Sequence, residues 1–309
     1  MINTNNKMMT YIALLCTILV WGLSFIGTKI ALTSFTPFVY IFLRFSLAAV
    51  FFLFLLLRRG FPKLNARDHK KLFIIAFFEP GLYFTFETIG LTYTTASKAS
   101  IIISIVPIMV MLLARMILKE RINAKSLLGI LLSIIGIMVL VLCDPKFSWA
   151  FEGSFIGDIF ILGAVISASF YMVFARDLGK RLSSVEITSF QTLYGTIFFT
   201  PLFILNAGTI QWAQVSLIAV AAVVFLAIFA TILGFLFYNY ALTQIPATRA
   251  AVFLNGIPVI TAMSAWIILD ERLTLLQGMG GILVLAAVLV ANMPDKKKVF
   301  SSSTNSESC

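Results

Sequence analysis

Charge is scarce in this chain. Only 12% of its 309 residues are Asp, Glu, Lys or Arg, about half the share of a soluble domain. Such a composition cannot supply a water-facing surface at this length, which excludes a soluble enzyme or binding module. Histidine occurs once, as His69 in a basic stretch. It is expected to be a solvated loop residue, and histidine-based metal or triad chemistry has almost nothing to draw on. The cysteines are Cys16, Cys143 and Cys309, too scattered for a disulfide framework and expected to be free thiols. No Gly-rich loop followed by Lys-Ser/Thr occurs, and no loop has room for an ATPase domain. The spans hold no His-Glu metal motif, no paired catalytic aspartates and no Ser-His pair. No enzyme activity, metal or cofactor is expected.

What the chain does have is apolar sequence in long runs, with a mean hydropathy of +1.02. The runs lie near 10–31, 37–57, 72–92, 97–117, 126–143, 155–175, 186–205, 214–242, 248–269 and 275–293. A helix of about 20 apolar residues crosses a bilayer. The expected fold is an all-α polytopic membrane protein with ten transmembrane helices. The first run is too long for a signal-peptide core and lacks a small-residue cleavage site, so it is expected to remain as the first span. Residues 1–9 form an N-terminal cytoplasmic segment, 144–154 an external linker, and 294–309 a polar tail expected to be disordered.

The net charge of +10 does not argue for nucleic acid, because the basic residues sit in short loops between apolar runs. With the N-terminus in the cytoplasm, Lys29, Lys98, Lys146 and Arg272 lie outside and Arg44 within a span. The other Lys and Arg are cytoplasmic. That asymmetry supports a multi-pass protein of the cytoplasmic membrane with both termini inside.

The chain also repeats. Shifted by 151 residues, LTYTTASKAS (91–100) falls on LTQIPATRAA (242–251), Pro107 on Pro258, Glu120-Arg121 on Glu271-Arg272, and Gly129 on Gly280. No gap is needed from about residue 84 to 140. GLSF (22–25) matches SASF (167–170) at 145 instead. The halves are 10–143 and 155–293. Each holds five spans, an odd number, so the second copy enters the membrane upside down. The charges agree: the loop around Glu120 is rich in Lys and Arg, while its counterpart holds Asp270, Glu271 and Arg272. Inverted repeats of this kind are typical of secondary transporters, with the substrate site at the repeat interface near the midplane.

Two five-helix halves with WGLSF (21–25) in the first, and PIMVMLLARMILKER (107–121) matched by PVITAMSAWIILDER (258–272), resemble the drug/metabolite transporter superfamily, and most of all its EamA-type members. The resemblance covers about residues 10–293. It implies a ten-helix carrier for small organic metabolites, often an exporter of amino acids or related compounds. Relatives that carry sugar phosphates or nucleotide sugars use basic residues toward the cavity, and few stand at midplane here.

Glu79 and Glu87 lie in the third span, where a carboxylate is expensive on any scale. With Tyr83 they stand at i, i+4 and i+8, one stripe that should face the bundle interior. Glu79 could bind a substrate amine, cycle a proton, or serve as a hydrogen-bonded structural carboxyl. Arg44 stands at a depth similar to Glu87 and offers it a buried partner, for packing or as a gate. Lys98 and Arg249 occupy equivalent positions at the starts of the fourth and ninth helices. They could end a pathway or snorkel to the interface. Pro107 and Pro258 interrupt those helices and could act as hinges or give static curvature. Asn255, one turn before Pro258, is expected to face the cavity. Trp21 could stack on cargo, close a hydrophobic gate or pack. Gln191, Tyr194 and Asn239 could hydrogen-bond uncharged cargo. The Glu-Arg pairs at 120–121 and 271–272 are expected to cap or tie the repeat ends. Gly129, Gly136, Gly280 and Gly281 suit close helix contact within the molecule or at a dimer face.

The expected partners are a small-molecule substrate, the lipid bilayer and protons as a coupling ion, in a monomer or homodimer. An exchanger of phosphorylated or nucleotide-linked metabolites and a non-transporting membrane receptor are the alternatives.

Overall fold

The computed structural model describes residues 4–118, 124–143 and 153–291. Helix α1 runs over Thr4–Ala31 and α2 over Pro37–Arg59, with Pro37 in the first turn, where its missing N–H is not needed. Asn65 and Asp68 form a reciprocal capping box that opens α3, Ala66–Ala76. A distorted stretch, Phe77–Leu82, joins it to α4, Tyr83–Tyr93. Helices α5 (Ala96–Ile103), α6 (Val106–Leu118) and α7 (Ala124–Leu142) follow. The second half begins with α8, Ser154–Leu178. A Ser183–Glu186 capping box opens α9, Ser184–Asn206. Helix α10 (Leu217–Phe225) passes through a wide-turned stretch, Leu226–Leu233, into α11 (Gly234–Gln244). Helices α12 (Ala247–Phe253), α13 (Ile257–Leu269) and α14 (Leu275–Ala291) complete the described chain.

Eight segments among the described residues are long and apolar enough to cross a membrane, and Leu275–Ala287 is a shorter apolar helix. The expected fifth and tenth spans fall on α7 and α14. The third begins at Ala66 rather than 72. His69 is therefore helical rather than in a loop, and its Nδ1 lies 2.7 Å from the Tyr194 hydroxyl. Glu120, Arg121, the linker over 144–152 and the tail from 292 lie outside the described residues.

The backbone repeats along with the sequence. Ala66 and Leu217, Tyr83 and Gly234, Ala96 and Ala247, Val106 and Ile257, and Ala124 and Leu275 open equivalent helices, each pair 151 apart. The ungapped correspondence thus reaches back to residue 66. In the first two helices of each half, Ala31 pairs with Leu178, Pro37 with Ser184 and Arg59 with Asn206. Their offset is 147, not the 145 of the GLSF and SASF match.

Packing obeys the same exchange. α4 lies on α8 as α11 lies on α1, α6 on α8 as α13 on α1, and α5 on α13 as α12 on α6. α2 meets α9, and α7 meets α14, across the halves. At the last of these contacts a Cβ on Gly136 would lie 3.0 Å from the Gly280 carbonyl oxygen and 2.7 Å from Val284 Cγ2. Only glycine lets α7 and α14 approach so closely.

Candidate functional site

The halves meet where their helices break. In the third span Glu79 leaves helical geometry, with φ −144° and ψ 112°. Pro80 follows it, and a proline both lacks the N–H donor and biases the preceding residue toward extended backbone. The Pro80 ring sits against Gly195 of α9, where an added Cβ would come within 2.1 Å of its Cγ. A backbone carbonyl freed inside a bilayer needs a protein partner. Gln191 of α9 supplies it, donating from Nε2 to the Glu79 oxygen at 2.9 Å. Asn239 of α11 donates to Gln191 Oε1 at 3.1 Å and to Thr188 Oγ1 at 2.9 Å, and accepts from the Tyr171 hydroxyl at 2.8 Å. Gln191 and Asn239, expected to meet cargo, have their polar groups occupied in holding this break.

The equivalent stretch in the second half, Leu226–Leu233, is held in the same way. Trp21 donates from Nε1 to the Ala230 carbonyl at 3.0 Å. Arg44 donates from Nε to Thr231 Oγ1 at 2.7 Å and from an η nitrogen to the Tyr40 hydroxyl at 2.9 Å. Its guanidinium stands 4.5 Å from the centre of the Phe84 ring, a cation–π distance. These partners replace the expected Arg44–Glu87 ion pair, which does not form among the described residues. Glu87 accepts from the Thr88 hydroxyl at 3.2 Å.

The fourth and ninth spans break as expected. Pro107 and Pro258 lie in the first turns of α6 and α13. Each follows a tight turn, around Ser104–Ile105 in one half and Leu254–Gly256 in the other. Between these breaks lies a cavity of about 30 Å³, room for a single water. Ile103 and Leu254, and Val106 and Ile257, are repeat-equivalent pairs on its wall. Trp21, Arg44, Glu79, Tyr83 and Glu87 also line it. The expected stripe therefore converges on one space, although the helix carrying it is broken. Glu79 is 3% exposed, and its Oε2 is buried without a hydrogen-bond partner among the described residues.

Other candidates lie elsewhere. Tyr194 bonds to His69 and is absent from the cavity wall. Asn255 sits in the turn before α13, off that wall, and both its amide N and O are buried without partners. Lys98 does not snorkel: it is fully buried, with Nζ 2.6 Å from Asp158 Oδ2. Asp158 also accepts from the Thr94 hydroxyl at 3.0 Å. Arg249, the repeat equivalent of Lys98, is exposed. Glu271 clasps the start of α5, accepting from the Ala96 and Ser97 amides at 3.2 and 3.1 Å. It thus caps the opposite half's helix, as one of the expected roles required.

The Lys98–Asp158 pair and the Glu271 clasp stand beside a second, polar cavity of about 480 Å³ that includes Lys29, Ser97 and Arg272. The two cavities share no lining residue. Asp158 and Pro80 are among the site residues that sequence reasoning passed over, along with the hydroxyls of Tyr40, Tyr171, Thr188 and Thr231; Asp158 and Pro80 carried the plainest signal. Both were visible as a carboxyl and a proline inside apolar runs.

A model of the EamA-like transporter family matches residues 8–142 and again 155–293. An uncharacterized transporter of Archaeoglobus fulgidus is 29% identical over 283 residues, covering 92% of this chain and 98% of the relative. The uncharacterized transporter YetK of Bacillus subtilis is 27% identical over 293 residues, covering 94% and 89%. A solved crystal structure aligns with a TM-score of 0.68 at 16% identity, covering 92% of this chain and 96% of its own. That last likeness concerns the fold alone.

Proposed function

Because the chain belongs to the EamA-like transporter family along nearly its whole length, we propose that it is a secondary carrier. It moves a small organic metabolite across the cytoplasmic membrane by alternating access. The observation that carries this reading is the buried Glu79 carboxyl, whose Oε2 has no hydrogen-bond partner among the described residues, in a cavity walled by repeat-equivalent residues where three broken helices and one wide-turned helix meet. Broken helices and a polar group at a repeat interface are what a transported ligand needs. The two halves lie in opposite orientations with both termini in the cytoplasm, and Pro107 and Pro258 hinge the walls.

Cargo carries an amine, amino acids and related compounds being the first candidates, and leaves the cell. A gradient drives it, with protons exchanged at Glu79. Phosphorylated or nucleotide-linked cargo fits less well, since two carboxyls face one guanidinium on the cavity wall. The cavity is contracted at about 30 Å³, so cargo enters as the halves part. In this contracted form the Lys98–Asp158 pair and the Glu271 clasp close the outer side.

The test is counterflow in proteoliposomes with a panel of amino acids, amines, nucleosides and sugars. Saturable exchange is expected for one class. Glu79→Gln should abolish gradient-driven accumulation while folded protein remains in the membrane. Normal accumulation by that variant would remove Glu79 from the mechanism. Binding without flux for every compound would make the protein a receptor.

A further inference from the structure

The cavity's charges do not balance. Glu79 and Glu87 are its carboxyls and Arg44 its only cation among the described wall residues. Arg44 is already committed to Tyr40, Thr231 and the Phe84 ring and is 1% exposed. Its single charge can neutralise one carboxylate. Arg44 faces both carboxyls and forms no ion pair with either among the described residues. One carboxylate charge therefore stays unmatched in surroundings that penalise it, and Glu79, with its unpartnered Oε2, offers the open position.

Resting on the carrier reading above, and narrowing its amine-bearing cargo to exclude zwitterionic amino acids, we propose that the cargo is a monocationic amine with an apolar body, and that the site exchanges it for one proton. A proton on Glu79 and an ammonium against Glu79 restore neutrality equally well. Both together leave a surplus positive charge, so each excludes the other. A zwitterion leaves the imbalance as it was, and an anion doubles it. The groups facing Glu79 are Tyr83 and Glu87 on its own span, Arg44 of α2, Tyr171 of α8 and Tyr238 of α11, while Tyr40 of α2 faces Arg44 and Glu87. Tyrosines are neutral in the physiological range, so the count of two carboxyls to one cation stands. The rest of the wall suits the body of such a molecule: Trp21, Phe25, Phe84, Phe235 and Met172 offer ring faces and a thioether.

The exchange balances. On one side of the membrane the ammonium ion pairs with the Glu79 carboxylate as the carboxyl proton leaves to water. On the other side a proton from water returns to the carboxylate and the ammonium departs. One positive charge moves each way, and the cycle carries no net charge.

The experiment uses matched ligand sets on three bodies: butyl, phenylethyl and indolylethyl. Each body carries an amine, an α-amino acid or a carboxylate head. Each ligand is titrated calorimetrically into the purified full-length protein in lipid nanodiscs, in two buffers of different ionisation heat so that protons are counted. At least one amine should bind about tenfold or more tightly than its amino acid and carboxylate counterparts. Its binding should release close to one proton at acidic pH, and its affinity should fall about tenfold per pH unit there. Glu79→Gln should lose that pH dependence. Glu79→Asp, which keeps the charge, should retain it, and that pair of results separates a role in charge from one in folding.

An amino acid that binds as tightly as its amine, or amine binding without proton release, overturns the monocation exchange and leaves the carrier standing. Binding by none of the amines overturns it as well, while counterflow by some other cargo would still uphold the carrier. Failure of the whole counterflow panel is the separate result that removes the carrier reading.

Discussion

Arg44 and Gln191 stand 147 residues apart at equivalent positions of α2 and α9, and each reaches into the distorted stretch of a helix of the other half. Arg44 holds Thr231 at 2.7 Å and Gln191 holds the Glu79 carbonyl at 2.9 Å. The two clasps exchange when the halves exchange, but their chemistry differs. The first-half clasp is charged and adjoins the cavity, whereas the second-half clasp is neutral and backed by Asn239.

Gln191→Ala would leave both the Glu79 carbonyl and the Asn239 amide short of a partner. A buried polar group left unsatisfied costs about 1–3 kcal/mol. The variant is expected to melt at a lower temperature in detergent and to transport more slowly. An unchanged melting temperature would mean that the break holds its shape without Gln191.

Lys98 and Asp158 make a different kind of contact, an ion pair with both side chains 2% exposed or less. Removing one partner, as in Lys98→Met, leaves a buried charge and should destabilise the protein by about 3–5 kcal/mol. Removing both, as in Lys98→Met with Asp158→Leu, should recover most of that loss. Denaturation of the two singles and the double variant checks this. A double variant as unstable as the sum of the singles would contradict the pairing.

The same pair explains what the sequence could and could not convey. The repeat was legible because Pro, Gly and Glu-Arg recur at one spacing, and the paired prolines, Pro107 and Pro258, stand at the helix breaks. The Glu79, Tyr83 and Glu87 stripe was legible because lipid penalises carboxyls. Partner choice was not legible. Lys98 at a helix start reads as an interfacial lysine unless Asp158, 60 residues on, is known to pack beside it. Arg44 reads as the mate of Glu87 by depth alone, yet a hydroxyl of the other half captures it. Gln191 and Asn239 read as cargo contacts because they are polar residues in spans. The demand they meet is a carbonyl freed before Pro80, which only the fold brings next to them.

Glu271 caps α5 from the other half, and the carrier proposal gives that contact a second part in closing the outer side. Glu271→Ala should cost about 0.5–2 kcal/mol, as loss of an N-terminal cap does. It should also raise the rate at which an impermeant thiol reagent reaches a Ser97→Cys site from outside, in a background with Cys16, Cys143 and Cys309 replaced. Equal labelling rates with and without Glu271 would show that the clasp does not close this side.

Pro258 stands in the first turn of α13, just after the tight turn that separates it from α12. Pro258→Ala permits a continuous helix and is expected to slow turnover more than it weakens cargo binding. Parallel measurement of counterflow rate and binding affinity separates the two. An unaltered rate would assign the break to static curvature.

Alternating access here requires two halves that cross the membrane in opposite directions around one cavity. Ala124 and Leu275 open the equivalent helices α7 and α14, 151 residues apart. In the cysteine-free background, Ala124→Cys should react with an impermeant thiol reagent only from the cytoplasmic side, and Leu275→Cys only from the outside. Labelling of both positions from the same side would contradict the antiparallel arrangement and, with it, the shared cavity as a site of transport.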